Sequence, residues 1–282
     1  MILVTGPTGK VGQALLDALQ AKGAAFKALA RTEASAQALE AKGVAIVRGD
    51  LANLAPALKG IDTLFLLSSS ADPYASEAAA VAAAKAAGVK KVVKLSAIGA
   101  QADATNPFLR GHARIERLLE ESGMAWTSVR PSFFMQNWVT YNAASIKAGQ
   151  PVYANAGQAK LGWVDVRDIA DVATAALMEA GHEGRIYEVT GPEALSYAEV
   201  TSRFGKLVGR GASYVPVPDE AAYQAMLAMG MPADYTWALV TLNQLVRRGL
   251  ADLTTQTVQL VAGHAPRSID AFLTEHRATF QA

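Results

Sequence analysis

The 282-residue chain has no cysteine, which excludes disulfides, thiolate catalysis and cysteine-ligated metal sites; no metal centre is expected. Neither sign of charge prevails, since 26 Lys and Arg face 25 Asp and Glu. Nothing in the charge therefore points to a nucleic-acid or membrane partner, and neither is expected. No apolar run reaches the roughly 18 residues that a membrane span needs, and a first strand beginning at Ile2 leaves no room for a signal or transit segment. The expectation is a soluble, cytoplasmic protein. Internal repeats and low-complexity linkers are missing too. What the chain does have is apolar bulk, 51% of its residues, enough for one large α/β domain or a core domain with a smaller cap.

The first dozen residues organise the rest. Ile2-Leu3-Val4 is an apolar run too short for a helix, and Gly6, Gly9 and Gly12 follow at intervals of three. An amphipathic segment over 11–23 then ends on a glycine, so the order reads strand, tight turn, helix. In such a turn Gly6 lets the chain leave the strand, Gly9 lets backbone approach a pyrophosphate and Gly12 lets the helix pack closely. The helix N-terminus offers its unpaired N–H groups and partial positive charge to the phosphates. A nucleotide-triphosphate P-loop fits less well, because Gly9-Lys10 is followed by Val11 and its first glycine would have to be Val4. A glycine-rich turn that binds nothing is the bland alternative.

Further strands are expected at 25–30, 44–50, 62–67, 90–95, 126–130 and 185–190, with helices between them at 34–43, 75–87 and 110–122 and another beginning at 164–173. This alternation argues for a doubly wound parallel sheet covered on both faces. Right-handed crossovers bring the strand-end loops to one edge. Arg31 ends the second strand about 20 residues past the glycine turn, where an acid would bind the ribose of NAD and an arginine favours the 2′-phosphate of NADP. A solvated loop arginine is its plain alternative. Asp50 is placed to reach an adenine edge or to cap the next short helix. The expected cofactor contacts are Gly6, Thr8, Gly9, Lys10, Val11, Gly12, Arg31, Asp50, Leu51, Ser68, Ser69, Ser70, Ser96 and Pro131, with NADP(H) favoured over NAD(H).

After Pro131 runs Ser132-Phe133-Phe134-Met135-Gln136-Asn137-Trp138, readable as the wall of an aromatic ligand or as plain core. Beyond Gly191 the pattern turns helical. A capping box at Ser196-Tyr197-Ala198-Glu199 opens a helix to about Val208, and helices are expected at 220–229, 235–248, 254–262 and 268–280. Met226, Met229, Met231 and the earlier Met178 suit either a pliable pocket or gap-filling. The expected division is a Rossmann-type domain over 1–190, with 135–162 contributing to the substrate cleft, and a small, mostly helical substrate-covering lobe over 191–282.

Together Thr5 to Gly12, Arg31, Gly49-Asp50, Lys94 to Ala100, Arg130 to Asn137 and Val164 to Ala170 resemble the NmrA-like branch of the short-chain dehydrogenase/reductase superfamily, over nearly the whole chain. The resemblance implies a Rossmann fold, NADP(H), and either NADPH-dependent reduction of quinones, azo dyes and triphenylmethane dyes or non-catalytic NADP sensing that regulates a partner. The wider superfamily uses Tyr-x-x-x-Lys, but none of the eight tyrosines here has a lysine four residues on. His112 and Glu116 take those places in Gly111-His112-Ala113-Arg114-Ile115-Glu116. Ala97 falls where the superfamily's serine belongs, with Ser96 before it.

Chemistry that depends on an activated tyrosinate is thereby disfavoured. A quinone or conjugated dye needs mainly to be held flat, because its own π-system delocalises the developing charge. The expected function is hydride transfer from NAD(P)H to a small aromatic or quinonoid acceptor. Phe133, Phe134 and Trp138 would wall it, Asn137 would donate a hydrogen bond and His112 would be the proton source. The alternative for His112 is a helix-face residue with no chemical role. A reductase or isomerase of a biosynthetic intermediate is a weaker option, and a homodimer is left open.

Overall fold

The computed structural model describes residues 1–209 and 211–281. In chain order the elements are β1 (Ile2–Val4), α1 (Lys10–Ala21), β2 (Phe26–Ala30), α2 (Glu33–Glu40), β3 (Ile46–Arg48), β4 (Thr63–Leu66), α3 (Tyr74–Ala86), β5 (Lys91–Leu95), α4 (Pro107–Ser122) and β6 (Ala125–Pro131). They continue with α5 (Ala143–Lys147), β7 (Val152–Ala154), β8 (Lys160–Leu161), α6 (Val166–Met178), β9 (Arg185–Val189), β10 (Leu195–Ser196) and α7 (Tyr197–Val208). The last are β11 (Tyr214–Pro216), α8 (Asp219–Ala228), α9 (Ala233–Val246), α10 (Ile269–Glu275) and α11 (Arg277–Phe280). Two compact units result, Met1–Pro131 with Val166–Glu188, and Ser132–Asp165 with Val189–Ala282. The segment 132–165 thus groups with the C-terminal residues, whereas the sequence reading counted it within 1–190.

The first unit is built on a seven-stranded sheet of order β3-β2-β1-β4-β5-β6-β9. Every neighbouring pair from β3 to β6 is parallel. The central strands are apolar because both faces are covered: Leu3, Val4, Leu64, Phe65, Leu66, Val92 and Val93 are all fully buried. α1 lies against α6, and α3 against α4. Strand order reverses between β1 and β4, which leaves a crevice at their carboxyl ends.

The second unit has two small sheets, β8 antiparallel to β10 and β7 parallel to β11. Its core is aromatic, with Trp138 within 5.4 Å of the Trp163 ring and 5.2 Å of both Tyr197 and Phe204. Trp163 Nε1 donates to the Leu195 carbonyl at 2.9 Å, so this buried indole is polar-satisfied. α7 begins with the expected capping box, Ser196 Oγ accepting the Glu199 N–H and Glu199 accepting the Ser196 N–H. Two expected helices change form. Of 254–262 only Val258–Ala262 makes a single π-helical turn, and 268–280 breaks at His276 into α10 and α11.

Candidate functional site

A cleft of about 410 Å³ opens in the first unit at the carboxyl ends of β1 to β4. Gly6 and Thr8 line it from the opening turn, Arg31, Asp50 and Leu51 from the ends of β2 and β3, and Ser68, Ser69 and Ser70 from the loop after β4. Residues far apart in sequence thus meet in one place, as strand-end loops of a parallel sheet must. Thr5 ties the two sides of the crevice: its Oγ1 accepts the Leu67 N–H at 2.7 Å and lies 2.9 Å from the Leu67 carbonyl.

The three glycines have three different reasons. Gly6 sits at φ +60°, and a Cβ there would come within 2.8 Å of Leu67 Cγ. A Cβ on Gly12 would stand 2.1 Å from the Gly6 carbonyl oxygen, so the first turn of α1 packs directly on the loop. Gly9 has neither constraint: a Cβ there would meet only the Gly6 oxygen, at an ordinary 3.5 Å. It is the N-cap of α1 with extended backbone and no side-chain cap, and no acidic residue occupies the first turn. A helix end with neither a side-chain cap nor an acid in its first turn presents its positive dipole end to an anion. Val11 is buried in this turn, and burial lowers the pKa of the Lys10 ammonium.

Beside Arg31 stand two hydroxyl residues that sequence reasoning missed, Thr32 and Ser35. Thr32 caps α2, with its Oγ1 accepting the Ser35 N–H at 3.2 Å and Ser35 Oγ accepting the Thr32 N–H at 3.1 Å. The Thr-x-x-Ser spacing after Arg31 was the available signal. Asp50 lines the cleft, and its Oδ1 accepts the Ala52 N–H at 2.9 Å in a local turn; it does not cap the next short helix, Ala55–Leu58, whose N-cap is Leu54.

Behind Ser68 lies a buried polar network. Ser68 Oγ donates to Glu77 Oε1 at 2.6 Å, and Lys94 Nζ stands 2.8 Å from Glu77 Oε2, with both charged side chains wholly buried. The Lys94 ammonium also donates to the Leu95 carbonyl. Ser96 and Pro131, both expected at the cofactor, are buried and lie outside the cleft lining. Ser96 donates its N–H to the Val129 carbonyl at 2.7 Å, and Ile98 donates to the Pro131 carbonyl at 3.1 Å.

His112 and Glu116, at the Tyr and Lys places, are both buried on α4. Glu116 forms a fork-to-fork ion pair with Arg130, Nε to Oε1 at 2.9 Å. His112 packs edge-on against Phe108 at 4.4 Å, and neither ring nitrogen has a hydrogen-bond partner. Burial, reinforced by the positive charges of Lys94 and Arg130, drives its pKa well below the usual histidine value. That shift disfavours the protonated imidazole a proton source would need, and the ring packs as the buried helix-face residue of the alternative reading.

The second unit has its own hollow, about 360 Å³ in volume. Phe133 and Asn137 line it, joined by Tyr141, Tyr153 and Tyr197 and by Met226, Met229 and Met231. Three of the four methionines therefore face one cavity, and Met178 sits exposed at the end of α6. Burial pushes the Tyr197 hydroxyl above the usual tyrosine range, so it stays protonated. Trp138 is a correction, since it is fully buried at the centre of the aromatic core and is not among the residues lining this hollow. Phe134 is another: it bridges to Val164 and is not part of the lining. An aromatic run whose chain turns as it leaves a strand sends its side chains different ways. Nearby, Gln136 Nε2 donates to the buried Asp165 Oδ1 at 2.9 Å, joining two of the motifs read from the sequence.

The sequence pattern of the NmrA-like family matches residues 1–271. The chain is 41% identical to an NAD(P)H azoreductase of Xenophilus azovorans over 286 aligned positions, covering 100% of each protein. It is 36% identical over 284 positions, 99% of each, to a Streptomyces griseus (4-alkanoyl-5-oxo-2,5-dihydrofuran-3-yl)methyl phosphate reductase. Its fold superposes on the Escherichia coli NADPH-dependent quinone oxidoreductase QOR2 solved with NADPH, with a TM-score of 0.88 at 26% identity over 99% of this chain and 100% of the other.

Proposed function

The chain belongs to the NmrA-like family, and from that premise we propose that it is an NADPH-dependent reductase of quinones and similar conjugated acceptors. The observation that carries the reading is the cleft at the β1/β4 reversal. The uncapped end of α1 begins at Gly9, directly after the cleft-lining Thr8, and no neighbour in the fold requires the missing Gly9 side chain; Arg31 lines the cleft as well. These residues fit a dinucleotide: the α1 N–H groups would hold the pyrophosphate, and Arg31 with Thr32 and Ser35 would take the ribose 2′-phosphate. Asp50 and Leu51 would flank the adenosine.

Bound there, the reduced dinucleotide supplies the hydride that, with one proton from water, turns a quinone into a hydroquinone. The chain's own task is binding and orientation, because the acceptor delocalises the charge it receives. We assign acceptor binding to the hollow of the second unit, where Phe133 and the tyrosine rings offer flat faces and the three methionines adapt to the shape between them. A dinucleotide sensor would need only the cleft, so the hollow favours turnover. The finer expectations go with this reading: action in the cytoplasm, and a homodimer as the assembly to test by light scattering.

The test is steady-state oxidation of NADPH with a small panel of quinones. Consumption well above the enzyme-free rate supports the reading, and a rate equal to background at saturating NADPH with every quinone overturns it.

A further inference from the structure

Every described side chain that lines the hollow of the second unit is uncharged. Its polar atoms are amides and phenolic hydroxyls, and the rest is methionine, leucine, valine, alanine and phenylalanine. The charged pair nearest in the hydrogen-bond network is Arg247 with Asp219, neither of which lines the hollow. These two neutralise each other through parallel bonds, Nη1 to Oδ1 at 2.8 Å and Nη2 to Oδ2 at 2.9 Å.

That pair also fixes the amides in front of it. A carboxylate only accepts, so Asn155 must turn its Nδ2 to Asp219, at 2.8 Å. Asn155 Oδ1 is then the acceptor for Asn243 Nδ2, at 2.6 Å. Asn155 is almost wholly buried, and Gln244 Nε2 holds the other Asp219 oxygen at 3.0 Å. Asn243, also in the lining, is left with its Oδ1 as the neutral acceptor at the end of the relay. An anion entering this hollow meets only neutral groups, amides, phenols and thioethers, with no cation among them, and the one guanidinium in the relay is already spent on Asp219.

Building on the reductase reading, we propose that the hollow selects uncharged acceptors, a neutral quinone or conjugated carbonyl, over acceptors bearing a sulfonate, phosphate or carboxylate. An anion desolvated without a counter-charge is strongly disfavoured, whereas a flat neutral ring loses little on entering. Asn243 is the specificity-determining polar group, and Asp219 with Arg247 positions it through Asn155.

The experiment compares naphthoquinone with naphthoquinone sulfonate at saturating NADPH. The sulfonate withdraws electrons and makes its ring the better hydride acceptor, so a poorer rate cannot come from the chemistry. The expected result is a kcat/KM for the sulfonate lower by on the order of 100-fold, carried mainly by KM. Met226→Lys, which places a cation in the lining, should raise the sulfonate value about tenfold or more while lowering that of the neutral quinone. Equal kcat/KM for the two quinones, or a lysine variant that improves both alike, overturns the proposal. If neither quinone is turned over, the reductase reading has failed. Selectivity is then read from quenching of protein fluorescence by each quinone: tighter binding of the neutral compound supports it, and equal binding overturns it.

Discussion

Lys94 Nζ and Glu77 Oε2 stand 2.8 Å apart with no solvent exposure on either side chain. A lysine in the run Val92-Val93-Lys94-Leu95 of a buried parallel strand needs such a partner, and α3 supplies it beside Ser68. Removing one member leaves a buried charge, so Lys94→Met should cost about 3–5 kcal/mol. Lys94→Met combined with Glu77→Leu should cost clearly less than the sum of the two single changes. Urea unfolding midpoints check both, and additive losses would show that the two charges do not stabilise each other.

The glycines of the opening turn separate folding from binding. Gly12→Ala drives a methyl to within 2.1 Å of the Gly6 oxygen and should lower the melting temperature markedly. Gly9→Ala has room within the fold and should leave melting nearly unchanged, yet weaken NADPH binding by about tenfold or more through its methyl at the phosphate approach. Thermal melts and NADPH titrations of the two variants should therefore rank them in opposite orders, and a Gly9→Ala protein with wild-type affinity would remove the pyrophosphate from this turn.

Arg31→Ala should weaken NADPH binding by roughly 10- to 100-fold and leave NADH binding almost untouched, because only the former loses a charge-assisted contact to phosphate. Equal losses for the two dinucleotides would reject the 2′-phosphate assignment.

For His112 the sign of the pH effect is fixed. Its pKa is depressed in the folded protein, mainly by burial, so below about 6.5 the unfolded chain binds the proton more readily. The stability contributed by the neutral imidazole is thus full above that pH and declines as the pH falls toward the folded value. His112→Leu should flatten this decline, seen in melting curves taken on both sides of pH 6.5, and should keep most of the turnover. A large loss of kcat with unchanged stability would return His112 to proton transfer.

Most of the first unit was readable from the residues. Buried parallel strands show as unbroken apolar runs such as Leu64-Phe65-Leu66, and their exits fall on one edge, so Arg31, Asp50 and Ser68 to Ser70 could be grouped before any coordinates. The second unit was harder for physical reasons. Its strands have two or three residues, too few for an alternating pattern to register. Asn155, Met226 and Asn243 come from three separate segments and meet only through tertiary packing. Trp138 and Phe133 belong to one aromatic run, and composition alone does not say which ring faces the core. Glu77 is hidden in an alanine-rich helix, where Lys94 was the only hint that it had a partner.

The most direct measurement is an anaerobic single-turnover reaction of the protein with stoichiometric NADPH and naphthoquinone, quantifying both products. The account predicts one hydroquinone formed for each NADP+, at a rate far above that of the mixture without protein. NADPH that binds tightly and stays reduced in the presence of the quinone would contradict it and make the cleft a sensor.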